Sequence, residues 1–248
     1  MAGHSKFKNI MHRKGAQDKK RAKIFTKALR EIHVAVKSGG PDIEHNPKLR
    51  TAIQSARAVN MPKDNVDRAI KKAAGDDSGV QYAETRYEGY GPGGVALIVE
   101  CLTDNKNRTA SDVRAIYSKG GGNMGESGSV SFMFDHLGYI AYPLTIGSED
   151  EVIEKALDSG ADNVETTDEE HEIYCQLEDF AHVRDNLEQA FGEAKMAKLV
   201  WKAQNPHPIN DLETVKKLMK LIDTLEDNDD VQVVWDNSEI PGEILEEL

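Results

Sequence analysis

The 248 residues predict an α+β protein: an N-terminal three-helix bundle followed by two α/β domains, one of them a ferredoxin-like βαββαβ unit inserted in the other. Three observations predict it. Apolar residues recur at helical spacing from residue 17 to 74. Strand-type runs rich in Val, Ile and Tyr begin only beyond residue 80. Between them Asp76-Asp77-Ser78-Gly79 is a polar, Gly-terminated linker at which the charge changes sign. The expected domains are 1–78, then 79–135 joined with 205–248, with 136–204 inserted.

Residues 1–16 have little apolar periodicity, contain Gly3 and Gly15, and read as a flexible basic arm that orders on binding. From Gln17 to Ser38, Ile24, Phe25, Ala28, Leu29, Ile32 and Val36 fall on one arc, and Lys19, Lys20, Lys23, Lys27 and Arg30 on the opposite one. Gly39-Gly40-Pro41 stops this helix. Asn46-Pro47 is an N-cap followed by proline at the first helical position, opening a second helix that buries Leu49, Ile53, Ala56 and Val59. A third, from Lys63 to Ala74, buries Val66, Ala69 and Ile70. Tyr82–Tyr90 and Gly93–Leu102, joined through Gly91-Pro92, form a hairpin. A helix over 107–119 follows, with Thr109 or Ser111 near its start and Val113, Ile116 and Tyr117 inward, and then a strand over 129–134. Strands at 138–142, 163–167, 172–177 and 197–202, with helices at 149–159 and 181–191, give the βαββαβ order of a ferredoxin-like unit. A helix over 211–225, capped by Asn210 or Asp211, and a strand over 231–235 close the chain; their return to residues 80–134 makes the βαββαβ unit an insertion.

Little in the sequence points to catalysis. Gly120-Gly121-Gly122-Asn123-Met124-Gly125 satisfies the spacing of a dinucleotide-binding loop, but it leaves a helix and enters a strand, the reverse of the order that brings a helix N-terminus to a pyrophosphate. It reads instead as a structural turn or a nucleic-acid-contacting loop. No Gly-Lys-Ser/Thr has phosphate-loop spacing, and His171-Glu172 lacks the second histidine of a zinc protease. Glu226-Asp227-Asn228-Asp229-Asp230 lacks the glycine and terminal glutamate of a calcium loop and reads as a solvated turn. Cys101 and Cys175 lie in apolar strands and are expected to be buried free thiols of a cytosolic protein. No catalytic residue, metal ligand or cofactor is assigned, and no enzyme activity is expected. No apolar run approaches the roughly 20 residues that cross a bilayer, and no secretory h-region follows the basic start. Lys prevails over Arg and Ser there, unlike a mitochondrial presequence.

Charge is the functional signal. The first 75 residues hold 18 Lys and Arg against 6 Asp and Glu, and residues 76–248 hold 13 against 37. The whole-chain charge of −12 conceals a +12 segment on a −24 body. A polyanion is the partner such a segment fits, while the acidic body repels phosphate or docks a basic protein. The nucleic-acid-binding residues assigned are His4, Lys6, Lys8, His12, Arg13 and Lys14 of the arm, with Lys19, Lys20, Arg21, Lys23, Lys27 and Arg30 of the first helix. Such contacts position a nucleic acid without reading its sequence. Phe7 and the core-facing Phe25 are too few for single-strand stacking. Replacing Lys19, Lys20, Lys23 and Lys27 by Glu is expected to abolish binding without unfolding the bundle.

Longer strings carry a resemblance. Met1-Ala-Gly-His-Ser-Lys-Phe-Lys-Asn-Ile, His12-Arg-Lys-Gly-Ala-Gln-Asp, Lys23-Ile-Phe-Thr-Lys and Asn60-Met-Pro-Lys-Asp-Asn-Val-Asp-Arg-Ala-Ile resemble the YebC/PmpR family. So do Tyr87-Glu-Gly-Tyr-Gly-Pro-Gly-Gly-Val-Ala, Thr103-Asp-Asn-Lys-Asn-Arg-Thr and the Gly-rich stretch into Gly128-Ser-Val. Phe7 stands where a Trp is common. The resemblance implies a cytosolic three-domain protein, and a motif starting at Met1 suggests a bacterial member without an organelle presequence. It implies a DNA-binding transcriptional regulator or, as for the mitochondrial activator of cytochrome oxidase subunit I translation, a translation factor. In the latter reading it binds ribosomal RNA and relieves stalling at proline-rich sequences. A scaffold acting through the acidic domains is a third expectation.

Overall fold

The structure, a computed structural model, describes residues 17–75 and 81–248. Three helices come first: α1 (Gln17–Gly39), α2 (Pro47–Ala58) and α3 (Lys63–Ala74). Ala28, Ile32, Ala35 and Val36 of α1 are buried, as the periodicity requires, and so are Leu49, Ile53 and Ala56 of α2. Asn46 is the N-cap of α2 and accepts from the Leu49 amide at 3.0 Å; its own amide group donates to the Ala35 and Gly40 carbonyls at 2.8 Å. One buried side chain thus closes the end of α1 and opens α2.

The described residues divide into two compact units: residues 17–27, 81–135 and 202–248, and residues 28–75 and 136–201. The first contains an antiparallel sheet of order β3-β1-β2-β9, formed by β1 (Ala83–Tyr90), β2 (Ala96–Thr103), β3 (Asn123–Met124) and β9 (Val231–Asp236). Two helices pack on it, α4 (Lys106–Lys119) and α7 (Leu212–Glu226). Its core joins Val95, Leu97 and Val99 to Val113 and Tyr117 of α4 and to Leu218, Leu221 and Leu225 of α7. Strand β9 pairs with β2, so the chain leaves this sheet after β3 and returns to it near the C-terminus.

The second unit holds β4 (Phe134–Pro143), α5 (Glu149–Asp158), β5 (Asn163–Thr166), β6 (Glu170–Gln176), α6 (Phe180–Phe191) and β7 (Met196–Ala203). The sheet order β5-β6-β4-β7 is that of a ferredoxin-like unit. Its core contains Ile140 and Ile173 from the two central strands and Val152, Val183 and Leu187 from the helices. Ser148 and Glu151 form a capping box at the start of α5.

Several local expectations are corrected. Helix α4 begins one residue earlier, at Lys106, with Asn105 as its cap, and Thr109 in its first turn is buried. Asp211, not Asn210, caps α7. Residues 129–133 do not extend: a single 3-10 turn at Ser131–Met133 precedes β4, because the Val130 and Ser131 amides are taken by a side chain rather than by a neighbouring strand. A two-residue parallel pair, β8 (His207–Pro208) with β10 (Ser238–Glu239), and the short α8 (Gly242–Glu246) were not anticipated.

Candidate nucleic-acid interface

Of the twelve assigned residues, His4, Lys6, Lys8, His12, Arg13 and Lys14 lie outside the described residues, and Lys19 and Lys20 are within α1. Arg21 is exposed, its guanidinium 5.4 Å from the Phe25 ring centre. The next two are engaged. Lys23 Nζ donates to Asp227 Oδ1 at 2.9 Å and to the Asp227 carbonyl at 2.8 Å, and half-buried Lys27 donates to the Glu226 carbonyl at 2.9 Å. These acceptors are the orphan end of α7, where the helix dipole is negative and cations are favoured. Burial pushes the Lys27 ammonium below its ordinary range, against the pull of Glu226. Lys23 and Lys27 therefore do not form an open cationic arc, as amphipathic spacing alone suggested. Arg30 is half-buried.

The acidic run at 226–230 is likewise more than a solvated turn. Asp230 is buried and accepts from Thr109 Oγ1 at 2.7 Å, Arg108 Nη2 at 2.8 Å and Thr103 Oγ1 at 3.2 Å. Burial acts to raise its pKa, but these donors, Arg108 foremost, hold it below the ordinary value. Threonines 103 and 109 and Arg108, spaced along one short motif, thus converge on one carboxylate from the far end of the chain.

The glycine-rich segment has a similar explanation. Gly122 approaches β1 so closely that a Cβ there would sit 2.6 Å from the Tyr90 carbonyl, and a Cβ on Gly89 would overlap the Asn123 carbonyl. Gly121 and Gly128 have φ of +79° and +87°, where glycine is favoured. The segment is pinned by Glu88, whose side chain is 0% exposed. Its Oε2 accepts from the Val130 and Ser131 amides at 3.0 and 2.8 Å, and its Oε1 from Arg86 Nε at 3.1 Å. Burial raises the Glu88 pKa and these amides and Arg86 lower it, the balance falling below the ordinary carboxylate range. The glycines serve close packing and turns rather than a nucleotide.

Sequence reasoning missed Glu88 and Asp230 as organising residues. Strand β1 alternates polar residues along its length, so Glu88 did not stand out from Glu84 and Arg86; for Asp230 no local signal existed, since its partners lie over 120 residues away.

Two other features resemble nucleic-acid sites and are spent internally. Tyr139 and Tyr174 face each other on the central strands of the ferredoxin-like sheet, 5.5 Å between ring centres, where RNA-recognition sheets carry stacking aromatics. Here, however, their hydroxyls donate to Glu170 and Glu172, and Tyr174 is buried. Arg50, Arg57 and Arg184 line one small cleft, but Arg57 pairs with Glu193 at 2.6 Å and Arg184 with Asp185 at 2.8 Å, with Arg50 3.8 Å from the same Asp185. Among the described residues no helix is long and apolar enough to cross a membrane.

Comparison with known proteins accords with this architecture. Residues 5–76 match the TACO1/YebC protein N-terminal domain, and residues 82–238 match the TACO1/YebC second and third domain, a model that carries a transcription-regulator label. The interval between the two matches takes in Asp77, Ser78 and Gly79 of the linker at which charge changes sign. A conserved hypothetical protein from Aquifex aeolicus, known from a crystal structure, is 49% identical with a TM-score of 0.80, the alignment covering 92% of this chain and 94% of that one. Two family matches that together span most of the sequence, joined to this likeness, show that the chain belongs to the TACO1/YebC family.

Proposed function

We propose that this protein is a nucleic-acid-binding regulator of gene expression that grips the phosphate backbone with its basic N-terminal segment, acting on promoter DNA. The carrying observation is the juxtaposition of 18 Lys and Arg against 6 Asp and Glu in 75 residues with a body of opposite sign. Confinement of positive charge to one segment orients the complex, because the body repels phosphate. The transcription-regulator label of the family supports DNA as the target. Mobility-shift assays with promoter fragments and competitor DNA over a salt series test this reading. Preference for particular promoters supports it, and equal affinity for every duplex sinks it.

A second reading, a ribosome-associated translation factor, is favoured by one observation. Lys23 and Lys27 are bonded to the end of α7, which takes these two cations out of any face of α1 that would enter a DNA groove. Contact with ribosomal RNA through backbone charge needs no such face. Cosedimentation with stalled ribosomes in mild salt supports this reading; protein that stays at the top of the gradient removes it.

A further inference from the structure

Helix α4 is the exception within the acidic body. Its 14 residues hold Lys106, Arg108, Arg114 and Lys119 against the single acid Asp112, in a region where 37 acids face 13 bases. One side of the helix is accounted for: Thr109, Val113 and Tyr117 are buried against the sheet and α7. The other side has no packing role. Asn107, Ser111, Arg114 and Ser118, at spacings of four, three and four, form one exposed stripe along it. Lys106, Arg114 and Lys119 make no ion pair among the described residues, whereas on neighbouring α7 Lys217 pairs with Glu213 at 2.8 Å.

The stripe is held rigidly. Asn105 caps the helix, Arg108 ties its first turn to Asp230, and Tyr87 Oη donates to the Lys106 carbonyl at 3.1 Å. In the Thr103–Thr109 motif the side chains of Thr103, Asp104, Asn105, Arg108 and Thr109 all have structural tasks, while the exposed side chains of Lys106 and Asn107 have none.

We infer that the outer face of α4 is a second nucleic-acid contact, made to double-helical RNA. This inference rests on the second, ribosomal-RNA reading above and deepens it. Small hydroxyl and amide side chains along the middle of the face suit ribose 2′-hydroxyls, and cations beside them suit the phosphates of a wide, shallow A-form minor groove. With Thr109, Val113 and Tyr117 buried and α7 and β1 packed beside it, the helix has only its outer side available, which suits a wide, shallow groove better than insertion into the deep major groove of DNA. At a rise of about 1.5 Å per residue the face runs about 20 Å, room for several phosphates.

The test uses the full chain in two variants, Arg114→Glu with Lys119→Glu, and Ser111→Tyr. Circular dichroism first establishes that each is folded. Affinity for a labelled RNA hairpin and for DNA of the same sequence is then measured by anisotropy across a KCl series. The charge reversal is expected to weaken RNA binding about tenfold or more and to lower the salt slope by about 1–2. Ser111→Tyr, which leaves charge unchanged, is expected to weaken RNA binding by blocking close approach. Wild-type RNA affinity in both variants overturns the inference while leaving the nucleic-acid reading intact. Loss on DNA equal to that on RNA, or loss in the charge variant alone, overturns the RNA assignment of the face. Failure of the unaltered chain to bind either nucleic acid overturns both.

Discussion

Replacing Glu88 by Ala removes the acceptor that holds the segment between α4 and β4 on β1. Two backbone amides lose their partner, that of fully buried Val130 and that of half-buried Ser131. An unsatisfied buried donor costs about 1–3 kcal/mol, the charged acceptor placing these bonds toward the upper end. Removal also leaves a void where the side chain was 0% exposed and frees Arg86 from its carboxylate. The expected destabilisation is about 3–5 kcal/mol. Glu88→Gln, whose amide oxygen still accepts from both amides, costs about 1–2 kcal/mol. The pH dependence separates the two effects. Because the folded carboxyl lies below its ordinary value, the stability it contributes is complete above about pH 4.3, the unfolded value, and is lost as pH falls through the folded one. Urea unfolding followed by the fluorescence of Trp235, which lies on β9 of the same sheet, reads the loss, and hydrogen exchange reports the Val130 and Ser131 amides directly. A loss below about 1 kcal/mol for Glu88→Ala, or amide protection equal to that of the unaltered protein, would refute the pinning argument.

Three other outcomes are expected. Lys27→Ala destabilises by about 1 kcal/mol in urea titrations, and Lys23→Ala by less than about 1, since Lys23 and Asp227 are both substantially exposed. Lys27→Glu sets a carboxylate against the α7 carbonyls, so charge reversal intended to probe nucleic-acid binding belongs at Lys19, Lys20 and Arg21. Gly89→Ala, whose Cβ meets the Asn123 backbone, costs about 1–3 kcal/mol, whereas Gly128→Ala, which has open space but positive φ, costs about 1 kcal/mol by thermal unfolding. Burial pushes the thiols of Cys101 and Cys175 up to about 12, so a disulfide reagent at pH 8 labels both slowly until denaturant is added; rapid labelling of the native protein contradicts their burial.

The order of the main elements and the fold class were legible from the sequence, because a 3.6-residue or two-residue apolar period is a local property that sets which side chains leave water; the short β8, β10 and α8 were not. Asn46-Pro47 announced the start of α2, and the order strand, helix, strand, strand, helix, strand announced the ferredoxin-like sheet. The opposition of a +12 segment and a −24 body was also written in the sequence, and with it the class of partner proposed. Which lysines remain open to that partner was not. Periodicity places Lys23 and Lys27 away from the core of their own helix, but only tertiary structure brings the end of α7, some 200 residues later, against them. The same holds for Glu88 beneath the glycine-rich segment and for Asp230 beneath α4. Charge and hydrophobic period are sums over neighbouring residues and survive in one dimension; a buried carboxylate is tolerated only where distant donors converge on it, and convergence is decided in three.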